Sequence, residues 1–285
     1  MTEQNTLDDL QNFGFTPTDE FANLRSQGYS VEFGKTISSA WSFIRPYLGV
    51  LVLYTLFCFF ADLSLSFFIS QTTSMLGNLG YVAGAIVNLT LISALLAGFY
   101  SYYQKIYLKE ESSFQNLLDG FQFIGQLALH QIVVVLMLVL PFVGIFLLAQ
   151  EFGINRTVDI FDTNTYETFT VFYYLLFIIP SLSIFTLYIF TPIIIVVSKT
   201  NFWLAMEISR KLVLANYIGV FGFVLAFIVI NILGLLFLGI GTLFTIPFTF
   251  AATFLLYVKL LKENGHSTNF SGDFYSDENA PLDAF

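Results

Sequence analysis

The chain has 285 residues, of which 56% are hydrophobic and only 11% charged. Soluble domains carry about a quarter charged residues, so this composition, with a mean hydropathy of +0.76, excludes an ordinary soluble domain and places the chain in the membrane class. The formal net charge is −9, from 11 basic and 20 acidic residues with no block of Lys or Arg; this excludes a nucleic-acid surface and a polybasic lipid patch.

Residues 1–30 are polar and acidic and hold no apolar stretch of the signal-peptide kind. They are expected to be a disordered tail, with the first membrane span directing insertion. The membrane domain is expected over residues 31–262. It opens with FGKTISSAWSFIRP, Phe33–Pro46, where Phe33, Ile37, Trp41 and Ile44 recur at three- and four-residue spacing. That spacing predicts an amphipathic helix lying at the membrane surface. Gly34-Lys35-Thr36 is no phosphate-binding loop: Tyr29 stands where the motif needs glycine, and no apolar strand precedes it.

A bilayer core of about 30 Å needs about 20 apolar residues in helical form. Six segments qualify: Tyr47–Ser70, Gly80–Tyr103, Gln126–Gln150, Thr170–Ser198, Ile218–Leu238 and Thr242–Leu260. Cys58, inside the first, reads as a small buried hydrophobe. Ser112–Gln126 and Asn201–Asn216 are expected to be two further surface helices, so that each pair of spans starts from one. Glu151–Glu167 forms the only sizeable outward loop. No charged residue lies between Lys211 and Lys259, so that run must fold back once, and Gly239-Ile-Gly241 is the break that leaves two equal spans. Pro247 then shapes the start of the sixth helix. The tail 263–285 is acidic, poor in aliphatic residues and expected to be disordered.

Ten cations fall on one side of this arrangement and only Arg156 on the other. The positive-inside rule therefore predicts that both termini are cytoplasmic. Tyr100, Tyr102, Tyr103 and Tyr107 at the inner end of the second span, Tyr173 and Tyr174 near the outer end of the fourth, and Trp41 and Trp203 read as an interfacial aromatic belt.

Chemistry is sparse. The two histidines, His130 and His266, and the single cysteine supply no metal-ligand spacing, and no nucleophile elbow is present. No catalytic, metal or cofactor site is expected; a membrane enzyme is the third reading, with His130 near the inner end of the third span as its only seed, where a satisfied interfacial histidine is the commoner outcome. Asp62 is the one carboxylate at membrane depth, where ionisable residues mark function by default. Asn88 and Asn231 should lie at similar depth. The three could line a polar cavity, or satisfy one another as a structural cluster, or Asp62 could simply reach the outer headgroups.

The carboxy-terminal third carries a pattern: Ala205, Ser209, Leu212 and Asn216, then an apolar span, then LGIG with a proline six residues on, then Tyr257. It resembles uncharacterised bacterial multi-pass membrane proteins and is similar to the membrane domain of membrane-anchored glycerophosphodiester phosphodiesterases. The resemblance implies a helical protein of a bacterial inner membrane. It brings no activity, because the phosphodiesterase chemistry belongs to a soluble barrel that this chain lacks.

The expected fold is thus an all-α polytopic bundle of six transmembrane helices plus three cytoplasmic-side interfacial amphipathic helices. The expected role is non-enzymatic, a membrane scaffold or an envelope assembly or homeostasis component, with membrane lipids as partners. The alternative is a transporter or permease for a small solute or lipid, built around Asp62. A cavity reaching Asp62, Asn88 and Asn231 would favour transport; a solid interior would favour the scaffold.

Overall fold

The computed structural model describes residues 31–151, 178–237 and 239–263, with the backbone alone at 141–142, 144–151 and 262–263. Both expected tails, most of the outward loop with Arg156, the start of the fourth span with Tyr173 and Tyr174, and Leu238 lie outside the described residues.

All regular structure among the described residues is helical. Helix α1 (Phe33–Ile44) leads through a short 3-10 turn (Arg45–Tyr47) into α2 (Leu48–Leu76) and α3 (Asn78–Tyr107). A 3-10 helix (Phe114–Phe123) enters α4 (Ile124–Glu151). Helical residues 178–187 form α5, followed by α6 (Thr191–Ser198), α7 (Phe202–Ala215), α8 (Tyr217–Leu236) and α9 (Thr242–Glu263). Six stretches are long and apolar enough to cross a membrane. The chain fits a multi-pass membrane protein.

The first hairpin is longer than its hydropathy suggests. Helix α2 has 29 residues and α3 has 30, or about 44 Å each at ~1.5 Å per residue. Polar residues at the tip stay helical by bonding back to their own turn: the Thr72 hydroxyl donates to Ile69 O and the Ser74 hydroxyl to Gln71 O. The single residue Gly77, at φ 60° and ψ −140°, then reverses the chain in a conformation open to glycine.

The segment expected as a surface α-helix at Ser112–Gln126 is a 3-10 helix instead. Its start is fixed by Ser113, whose backbone N–H donates to Asn116 Oδ1 at 2.9 Å. Three residues per turn align positions 114, 117, 120 and 123 on one edge. Leu117 and Gly120 on that edge are buried, with the Leu117 carbonyl pressed on Gly98 of α3 and Gly120 on Ala94. An α-helical twist would rotate this edge away from α3.

The aromatic belt needs a similar correction. Tyr100, Tyr102 and Tyr103 are core residues, the last fully enclosed. Phe43 of α1 stacks on Phe254 of α9 at 6.1 Å and meets the Tyr103 ring edge-on at 5.8 Å. Tyr103 donates to the Pro247 carbonyl at 2.8 Å. Helix α1 thus covers aromatics that would otherwise face lipid. Trp41 and Trp203 do stay exposed.

Helices α8 and α9 meet at the predicted glycine turn. Gly239 takes φ +74° with open space around it, whereas a Cβ on Gly241 would stand 2.7 Å from Gly234 Cα. Gly239→Ala is therefore expected to cost only the left-handed backbone penalty, about 1 kcal/mol. Gly241→Ala should cost more, because backbone must move. Thermal unfolding in detergent checks the order of the two.

Candidate functional site

The fourth span sets up one wall of the site. Pro192 has no N–H for the Tyr188 carbonyl, and its ring crowds that carbonyl. The helix breaks at residues 188–190 and restarts as α6. The break is mended from α7: the Ser209 hydroxyl donates to Leu187 O at 2.8 Å and accepts from Phe190 N–H at 3.3 Å. Helix α7 is itself fixed at both ends. Asn201 caps its start by accepting from Leu204 N–H, and Gln126 Oε1 of α4 accepts from Phe202 N–H at 2.8 Å. Asn216 accepts from Gly219 N–H and starts α8. Each polar position of the recognised pattern thus has a local hydrogen-bonding task, while Ala205 and Leu212 are fully buried.

A cavity of about 680 Å³ lies between α3, α4, the broken span α5–α6, α8 and α9. Most of its lining is apolar, including Leu96, Ala97, Val134, Ile189, Phe223 and Phe227. Phe185, Ile232 and Leu235 line it and are also exposed, so they form a rim open to the surroundings of the bundle. Such a volume falls within the range of about 300–1,000 Å³ usual for small-molecule sites.

Asn231 lines this cavity and staples α8 to α9. Its Nδ2 donates to Thr249 Oγ1 and to Phe227 O, both at 2.8 Å, and its Oδ1 accepts from Thr245 Oγ1 at 2.9 Å. Asp62 and Asn88 sit elsewhere. Asn88 Nδ2 donates to Asp62 Oδ1 at 3.1 Å, tying α2 to α3, and neither residue is among the described lining of the cavity. The three residues expected to cluster thus form a pair and a separate staple. Membrane depth is legible in a sequence; which helix face meets which neighbour is not.

The residue that sequence reading undervalued is His130. It is 95% buried, from a relative exposure of 5%. It stands on α4 at the cavity wall, and neither ring nitrogen has a hydrogen-bond partner among the described residues. Its position one turn after Gln126, near the start of a span, suggests an interfacial residue. Only the packing of α3 and α5–α6 around it shows otherwise.

Gly239, Gly241 and Pro247 belong to the hairpin and its packing. They do not line the cavity.

No known protein family, curated protein or solved structure matches the chain.

Proposed function

We propose that this is a non-enzymatic membrane protein that takes a lipid-like molecule into the cavity between α3, α4, α5–α6, α8 and α9. The cavity carries the reading. A bundle serving only as a scaffold has no use for an apolar chamber of this size, whereas one that opens beside exposed apolar helix faces can admit an acyl or isoprenoid chain from the bilayer. The Asp62–Asn88 pair lies apart and serves helix packing in this view.

We place the cation-bearing end of the bundle in the cytoplasm, following the positive-inside rule, with α1, the 3-10 helix and α7 at the inner surface of a bacterial inner membrane. The exposed indoles of Trp41 and Trp203 suit headgroup depth. The charges of α7 are largely self-neutralised. Glu207 is bound by Arg210 at 2.7 Å and Lys211 at 3.4 Å, and the Arg210 hydrogen bond holds its carboxyl below the usual range. Attraction to anionic headgroups is then weak, and α7 acts as a fixed support for the broken span.

The test is extraction in mild detergent with mass spectrometry of co-purifying lipids. Val134→Phe and Ile232→Trp, one on the wall and one on the rim, should each lower the bound lipid at least severalfold while leaving the thermal midpoint within a few degrees. No bound lipid in the wild type, or equal binding in both filled variants, would return the protein to a scaffold role.

A further inference from the structure

The lining of the cavity selects a ligand class. None of its described residues is charged. An ionised head entering it would lose its water without gaining a counter-ion, which is prohibitive in an apolar setting. Its polar groups are therefore suited to an uncharged oxygen function.

Most of these groups already have partners. Asn231 is committed to Phe227, Thr245 and Thr249. The Ser93 hydroxyl donates to Thr90 O, and those of Thr249 and Thr253 donate back along α9. Tyr100, Gln131 and Tyr188 line the cavity as well, but His130 is the one described lining residue whose polar atoms are both fully enclosed and without a partner among the described residues. It can both donate and accept. A buried polar group left unmade costs free energy that native structures rarely tolerate without a reason. The nitrogens are shielded in the wall, so a turn of the imidazole about Cβ–Cγ is needed to present one to the cavity. Such a turn moves no backbone.

We infer that His130 is the hydrogen-bonding anchor for the polar head of an uncharged amphiphile, of the long-chain alcohol, ester or carbonyl kind, whose chain occupies the apolar part of the cavity. This rests on the ligand-binding reading above and narrows it.

The experiment uses the full chain in lipid nanodiscs and three photo-crosslinking probes with the same diazirine-bearing C16 chain. One ends in a hydroxyl, one in a phosphate, one in a methyl group. Labelled residues are located by peptide mass spectrometry. In the wild type the alcohol should label residues 93–100, 127–134 and 223–235 about tenfold more than the methyl-ended probe, the worth of one buried hydrogen bond, and the phosphate should label them least. His130→Leu should erase the preference for the alcohol while the methyl-ended probe still labels the cavity; His130→Gln, which keeps a donor and an acceptor, should retain part of it. Alcohol and methyl probes that label equally in the wild type would overturn the anchor but leave the cavity reading standing. So would a preference that survives His130→Leu, or strong labelling by the phosphate. No labelling of the cavity by any probe would overturn both. Should His130→Leu not fold, the three-probe ranking in the wild type and His130→Gln still decides.

Discussion

Gly98→Ala is expected to be among the most damaging single-methyl changes in this protein. A Cβ at residue 98 would run into the Leu117 carbonyl and stand 2.8 Å from the Tyr54 hydroxyl. Gly120→Ala attacks the same seam from the other side, meeting the Ala94 carbonyl and standing 2.7 Å from Gly98 N. Both obstacles are backbone, so no flexible side chain can swing aside. The seam is also locked by Tyr54, whose hydroxyl lies 2.7 Å from both Leu95 O and Leu117 O. Separating the 3-10 helix from α3 would leave this hydroxyl to Leu95 O and strip the buried Leu117 carbonyl of its partner. Overpacking alone costs about 1–3 kcal/mol, and the lost hydrogen bond adds about 1–3 kcal/mol. Each variant should therefore lose roughly 3–5 kcal/mol, a large share of a typical total of about 5–15 kcal/mol. Gly49→Ala and Gly125→Ala are the controls. Both sit in helices with nothing within 4 Å of the new methyl, and alanine there should stabilise by up to about 1 kcal/mol. Unfolding midpoints of the four purified variants check the contrast; a Gly98→Ala protein as stable as Gly125→Ala would refute the close approach.

Ser209→Ala should be the second large effect. Alanine keeps the Cβ and removes only the hydroxyl, so the Leu187 carbonyl and the Phe190 N–H would lose their partner in a fully buried setting. At about 1–3 kcal/mol for each group left unmade, the loss should be about 2–5 kcal/mol. The need arises only because Pro192 breaks the ladder. In a Pro192→Ala background the helix can close through residues 188–190, and Ser209→Ala should then cost about 1 kcal/mol or less. A double-mutant cycle measures this coupling. Additive effects would show that the hydroxyl acts independently of the proline. The same break places Tyr188 and Ile189 on the cavity wall, so Pro192→Ala should also weaken lipid retention.

The six long apolar helices and the pairing of the first two and of the last two into hairpins were legible from apolar run length and the placement of charges. Those signals report the solvent around a helix, and a bilayer imposes them on every spanning sequence. The α8–α9 turn was legible for a similar reason: two apolar spans had to be divided, and only Gly239 and Gly241 offered the backbone freedom near the midpoint. Residues 33–44 and 202–215 were legible as helices, and residues 114–123 as a helical stretch but not in its type. Residues 114–123 carry apolar positions compatible with more than one twist, and the close contact with α3 selects the 3-10 form.

Faces and partners were not legible. Tyr100, Tyr102 and Tyr103 have the composition of an interfacial belt, and only the packing of α9, α1 and the turn after α1 against α3 makes them core. Asp62, Asn88 and Asn231 share a depth, yet helix rotation sends Asn231 to Thr245 and Thr249 and leaves Asp62 with Asn88. The cavity and the enclosed histidine in its wall belong to five apolar stretches at once, α3, α4, α5–α6, α8 and α9. The sequence by itself determined that this chain carries six stretches long and apolar enough to cross a membrane, and where the last pair turns, because hydrophobicity and turn chemistry are local quantities. Whether the bundle is solid or hollow, and which polar group stands free inside it, was decided by tertiary structure alone. In a spanning helix most faces are apolar, so no periodicity marks the face that meets a neighbour.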